Sequence, residues 1–190
     1  MDSSLILAGF GGQGIISAGQ ILAQAFMLEG LEITWLPAYG AEMRGGTVNC
    51  TLAFSDEEVA SAYIEIPETA IVMNLPSFER FESQVKAGGL IIANSTLIDA
   101  TPRRDDIKYV FAPFTQIAND LGNIRVANIV SLGAFLALKE FVKIENVMTV
   151  LQDVFSSKGM KIVDLNINAL KKGYEYCVQQ TNSKQLQSVL

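Results

Sequence analysis

A chain of 190 residues with 49% hydrophobic and 18% charged residues and a net charge of −6 suits a single domain, about 70% of whose extended surface leaves water on folding. The acidic balance, with no basic run, excludes nucleic acid and anionic membrane as main partners, and no stretch approaches the roughly eighteen uninterrupted apolar residues of a membrane span. The chain has no histidine, so the commonest general base and metal ligand is missing, and Cys50 and Cys177 are too few for a four-thiolate cluster.

Met1 to Ser4 carry no basic side chain, so no secretory signal is expected and the thiols should be reduced. The mean hydropathy of +0.29 predicts a cytoplasmic protein with either a large core or a face buried against partner chains.

Leu5–Ala8 reads as a buried strand, followed by apolar residues at helical spacing, Ile15, Ala18, Leu22, Ala25 and Phe26. Ile33–Leu36 is a second strand, stopped by Pro37. After a glycine-containing loop, Thr47–Phe54 is β-rich, and Val59–Ile66 reads as a short strand or edge segment. Ala70–Asn74 is a further strand that runs into "PSFERF", a helix with Pro76 in its first turn and Asn74 as its cap. Leu90–Asn94 and Tyr109–Phe111 are the last strand signals. Ala127–Phe141, Ile144–Ser156 and Asn166–Val178 read as helices, the first apolar on most faces, and the last ten residues as a polar, frayed tail. The pattern predicts a Rossmann-like three-layer α/β domain with a mostly parallel sheet and a helical C-terminal third.

Two motifs carry chemistry. In "GFGGQG", Gly9, Gly11 and Gly14 fit a dinucleotide spacing between a strand and a helix. Helix-start N–H groups can hold an anion there; a tight strand-to-helix turn accounts for the same glycines. A dinucleotide site also needs an acid at the end of the second strand, where this chain has Thr34-Trp35-Leu36-Pro37. The second motif is "PAYGAEMRGGTVNC", Pro37–Cys50, with Tyr39, Glu42, Arg44 and Gly45 at a strand's C-terminal edge. Arg44 could grip a carboxylate or phosphate, or pair locally with Glu42. Asn74 with Ser77, and Asn94 with Ser95, could line the same crevice or serve as a helix cap and a turn.

These motifs together, with "NLPSFERF" at Asn74–Phe81, "VKAGGLIIANSTLI" at Val85–Ile98 and "RVANIVSLGAFL" at Arg125–Leu136, resemble the gamma subunit of 2-oxoacid:ferredoxin oxidoreductases. The likeness runs in collinear order over the first three quarters of the chain. It departs where the family usually has proline and this chain has Ala41 and Ala87. The AEMRGG form is more similar to the 2-oxoglutarate and branched-chain members than to the pyruvate members.

The resemblance implies a single gamma-type domain over residues 1–180, with 181–190 as its tail. It also implies an assembly that oxidatively decarboxylates a 2-oxoacid to an acyl-CoA and passes electrons to ferredoxin. Thiamine diphosphate, magnesium and iron–sulfur clusters are then expected on alpha, beta and ferredoxin-like delta partners. The chain has neither a GDG…N segment nor a cysteine array. Coenzyme A is the implied load of this domain, on Gly9, Gly11, Gly12, Gln13 and Gly14. Tyr39, Glu42, Arg44, Gly45, Asn74, Ser77 and Asn94 are expected around it, with no catalytic residue of its own. A stand-alone nucleotide-binding oxidoreductase and the small subunit of an indolepyruvate oxidoreductase remain as alternatives.

Overall fold

Apolar residues on both faces of the first strand, β1 (Ser3–Phe10), require cover on both sides of the sheet. In the computed structural model, which describes residues 3–40, 46–57 and 64–187, that cover is present. β1 joins β2 (Glu32–Tyr39), β3 (Thr47–Ser55), β4 (Thr69–Val72), β5 (Leu90–Asn94) and β6 (Lys108–Ala112) in one sheet of order β2-β3-β1-β4-β5-β6. β1, β4, β5 and β6 pair in parallel, while β3 is antiparallel to both β1 and β2. Only β3 runs against the rest, so the sheet is mostly parallel, as expected.

Alternate residues feed two cores. Leu5, Leu7, Ile71 and Ile92 face the larger one, with α1 (Ile15–Leu28), α4 (Ala127–Leu138), α5 (Ile144–Phe155) and α6 (Met160–Gln187). Ile6, Ala8, Val72 and Ile91 face the smaller one, covered by Phe78 and Phe81 of α2 (Leu75–Glu82). α4 is buried at every residue from Ala127 to Leu136, which is why its sequence is apolar all round. The crossover from β1 to β2 places α1 on one face, and that from β4 to β5 places α2 on the other. The chain therefore diverges at the C-terminal ends of β1 and β4, the place where open α/β sheets bind ligands.

The structure departs from the sequence pattern, or adds to it, in several places. Pro37 does not stop β2, because β2 is an edge strand whose outer side needs no ladder bond. Phe114–Asp120 forms a helix, α3, too short to show a helical period. α6 begins at Met160 and continues to Gln187, well into the expected tail, since no glycine or proline follows Gly173. Of the segment 59–66, residues 59–63 lie outside the described residues and Ile64–Ile66 are not in a strand. Both cysteines are buried and unbridged, and among the described residues no helix is long and apolar enough to cross a membrane.

Candidate functional site

The turn after β1 is shaped by contacts that leave no room for side chains. A Cβ on Gly9 would lie 2.5 Å from Gln13 Oε1, and one on Gly14 would lie 2.5 Å from Asn128 Nδ2. Gly14 is also left-handed, with φ 73°, immediately before α1, a conformation costly for other residues. Gly11 donates its N–H to the Gly46 carbonyl and Gln13 donates its own to the Phe10 carbonyl, both at 3.1 Å. The Phe10 N–H in turn donates to Gln13 Oε1 at 2.7 Å. Gln13 thus folds back to close the loop instead of reaching outward.

Helix α1 starts without a side-chain cap, and its first backbone bond runs from Ala18 N–H to the Gly14 carbonyl at 2.9 Å. Among the described residues, no acceptor meets the N–H groups of Gly12, Gly14, Ile15 or Ile16. Gly12, with φ 94°, has open space where a Cβ would project. A row of unused donors at the positive end of a helix dipole, beside open space, has the chemistry to hold an anion.

Under this rim lies a closed polar network. Gln13 Nε2 and Asn94 Nδ2 each donate to the Met73 carbonyl at 3.4 Å. Asn94 Nδ2 also donates to Thr115 Oγ1 at 2.8 Å, and Asn74 Nδ2 to Gln13 Oε1 at 3.4 Å. Asn74 Oδ1 accepts from the Ser77 N–H at 2.9 Å, capping α2. Asn74, Ser77 and Asn94 are all buried, so they support the loop from below and do not line its surface. Loss of the cap in Asn74→Ala should lower unfolding free energy by about 1 kcal/mol, measured by urea denaturation of the purified chain; an unchanged midpoint would remove Asn74 from this account.

Gly9, Val48 and Tyr39 face one another across β1, β3 and β2. Tyr39, 70% exposed, therefore stands on the same sheet face as Gly9, about 10 Å away by two strand spacings. Gly40 N–H donates to the Thr47 carbonyl at 2.7 Å, and Gly46 receives the Gly11 bond, so both ends of the β2–β3 connection are anchored beside the glycine loop. Glu42, Arg44 and Gly45, within that connection, lie outside the described residues. Cys50, from the same motif, is packed under the start of α1, where burial pushes its thiol up to about 12 against the opposing pull of the Trp35 indole. It is protonated at neutral pH and is no nucleophile.

Sequence reasoning missed Asn128 and Thr115. Asn128 is buried and its Nδ2 donates to the Gly14 carbonyl at 3.0 Å, joining the start of α4 to the start of α1. Its signal was present as a lone amide in an otherwise apolar helix. Thr115 had no comparable signal, since its partner Asn94 is distant in sequence.

A mixed open sheet with an uncapped helix start and a glycine turn at its switch point defines an α/β domain of the Rossmann-like kind. The model of the pyruvate ferredoxin/flavodoxin oxidoreductase family matches residues 4–176, and the chain belongs to that family. It is 34% identical over 179 residues to the 2-oxoglutarate synthase subunit KorC of Methanocaldococcus jannaschii, covering 92% of this chain and 94% of that one. It is 35% identical over 171 residues to the ketoisovalerate oxidoreductase subunit VorA of Methanothermobacter marburgensis, covering 90% of this chain but only 35% of VorA. The chain thus spans about a third of that longer relative.

Two solved structures share the fold. The keto/oxoacid ferredoxin oxidoreductase gamma subunit of Geobacter sulfurreducens superposes with a TM-score of 0.82 at 27% identity, over 94% of this chain and 98% of that one. The 2-oxoglutarate:ferredoxin oxidoreductase of Magnetococcus marinus, with 2-oxoglutarate, coenzyme A and succinyl-CoA bound, gives a TM-score of 0.86 at 26% identity, over 94% of this chain and 31% of that one.

Proposed function

We propose that this chain is the gamma subunit of a 2-oxoacid:ferredoxin oxidoreductase, with 2-oxoglutarate as its substrate, and that its glycine loop contacts the phosphates of coenzyme A. The assembled enzyme would oxidatively decarboxylate the oxoacid, release the acyl group as a CoA thioester and pass electrons to ferredoxin in the cytoplasm. Thiamine diphosphate with magnesium and the iron–sulfur clusters belong to alpha, beta and ferredoxin-like delta partners. The observation that carries the reading is that, among the described residues, no acceptor meets the N–H groups of Gly12, Gly14, Ile15 and Ile16, with open space beside Gly12.

Within this site the residues divide their work. Gly12, Gly14 and the first turn of α1 offer backbone donors to phosphate. Gly9, Gly11 and Gln13 hold the loop in shape, with Asn74, Ser77 and Asn94 supporting it from beneath. Tyr39, exposed on the rim, would face the ligand or the neighbouring subunit, and Glu42, Arg44 and Gly45 are assigned to the same site by their motif alone. Support for 2-oxoglutarate comes from the KorC relatives, which match along almost their whole length.

Nucleotide binding of the dinucleotide kind is disfavoured by topology. There the second strand lies beside the first and its terminal acid reaches the ribose. Here β3 intervenes between β1 and β2, and β2 ends in Tyr39. Titrating the purified chain with NADH or NADPH while following the fluorescence of Trp35, its one tryptophan, should give no saturable change up to millimolar cofactor.

The chain purified under native conditions should bring down larger chains carrying thiamine diphosphate and iron–sulfur. That complex should reduce a viologen dye only when 2-oxoglutarate and coenzyme A are both present. Recovery of the chain alone, or dye reduction indifferent to coenzyme A, would overturn the proposal. A preference for aryl over aliphatic 2-oxoacids would instead indicate an indolepyruvate enzyme.

A further inference from the structure

Asn128 belongs to a stretch, Ala127–Leu136, whose other members fill the core. It is a buried amide, 7% exposed, and it bonds across 114 residues of chain to Gly14. Its Nδ2 donates to the Gly14 carbonyl at 3.0 Å, while its Oδ1 accepts from the Ile129 N–H at 2.9 Å. Ser131 Oγ donates to the Asn128 carbonyl at 2.7 Å and steadies that turn. One side chain therefore bridges the starts of α1 and α4.

The consequence follows from peptide geometry. The Gly14 carbonyl is held by two donors, Ala18 N–H at 2.9 Å and Asn128 Nδ2. In a planar trans peptide the carbonyl and the following N–H point in opposite directions. Pinning the Gly14 oxygen toward the protein aims the Ile15 N–H away from it, toward the open side of the loop. Gly14 is also the residue at which this peptide would most easily turn, because it has no Cβ to restrict it. Packing and aim are linked, since the space a Cβ on Gly14 would fill is taken by the Asn128 amide.

We propose that Asn128 is a positioning residue for coenzyme A, orienting the Ile15 N–H toward a phosphate through the Gly14 peptide without touching the ligand. This rests on the reading of the glycine loop as the coenzyme A contact.

The test uses the assembled complex carrying Asn128→Ala and, separately, Asn128→Leu, which keeps the side-chain volume but removes the amide. KM for coenzyme A should rise at least fivefold in both, while kcat and KM for the oxoacid change less than twofold. Calorimetric titration of the complex with desulfo-CoA should show the same weakening without turnover. Coenzyme A parameters unchanged in both variants, with Gly12→Asp still raising KM for coenzyme A, would overturn the role of Asn128 alone. An unchanged KM in Gly12→Asp as well would overturn the loop assignment itself. Failure of both Asn128 variants to assemble would also overturn the proposal, because Asn128 would then hold the fold and not the loop.

Discussion

Gly133→Ala should be among the most destabilising single-methyl changes in the chain. α4 and α6 form the largest helix–helix contact of the fold, and they meet backbone to backbone. A Cβ on Gly133 would fall on the Leu170 carbonyl oxygen, with Tyr174 N only 2.8 Å away. A Cβ on Gly173 would fall on the Val130 carbonyl oxygen in the same way, with the Val130 carbonyl carbon at 2.8 Å. A side chain in that position could swing aside; a helix backbone cannot.

The helices must therefore part, opening a seam lined by Val130, Ala134, Ala169 and Leu170, all buried. Overpacking usually costs about 1–3 kcal/mol, occasionally more, and alanine returns about 1 kcal/mol of helix propensity. With main chain as the obstacle, the overpacking cost falls at the top of that range and a net loss of roughly 2 kcal/mol is expected, which at this chain length lowers Tm by roughly 4–8 °C. Urea and thermal unfolding of the purified chain measure it. Gly133→Ala with Gly173→Ala should cost less than the sum, since both open one interface. A variant within about 0.5 kcal/mol of the parent would mean the helices are not in contact here.

Gly12→Asp should leave the fold formed yet raise KM for coenzyme A at least tenfold in the assembled complex, equivalent to about 1.4 kcal/mol. Among the described residues no atom lies within 4 Å of the added Cβ, and the left-handed backbone at φ 94° costs about 1–2 kcal/mol in a non-glycine residue. The carboxylate would stand beside the unused N–H groups of the cradle, taking their bonds and repelling phosphate. Gly12→Ala carries the backbone cost without the charge, so it separates the two effects. Most of the rise in KM should be absent from it. If Gly12→Asp turns over with unaltered coenzyme A kinetics, the loop is a packing turn and the phosphates bind elsewhere.

Part of the candidate site's geometry is legible in the sequence because it is local. The strand, glycines and helix of Leu5–Phe26 are contiguous, so unpaired N–H groups at the start of α1 follow from the order of residues alone. The same holds for Asn74, whose cap to Ser77 spans three positions. The resemblance implies a coenzyme A contact at Gln13, and the structure turns its amide inward because Phe10 N–H and the Met73 carbonyl, 60 residues on, lie within its reach. For Asn94 the sequence leaves a crevice residue and a turn residue open; β5 is an inner strand, and its amide is spent on Met73 and Thr115. Pro37 looked like a stop because single-sequence reading cannot tell an edge strand from a central one.

From the sequence alone come the α/β class, the glycine cradle and the absent ribose acid, all properties of neighbouring residues and their periodicity. Only the tertiary structure decides that β3 separates β1 from β2, that Asn128 reaches Gly14, and that Gly133 and Gly173 let two helix backbones touch. Each of these joins residues far apart in the chain, and such contacts are selected by the packing of the whole core, which no local pattern encodes.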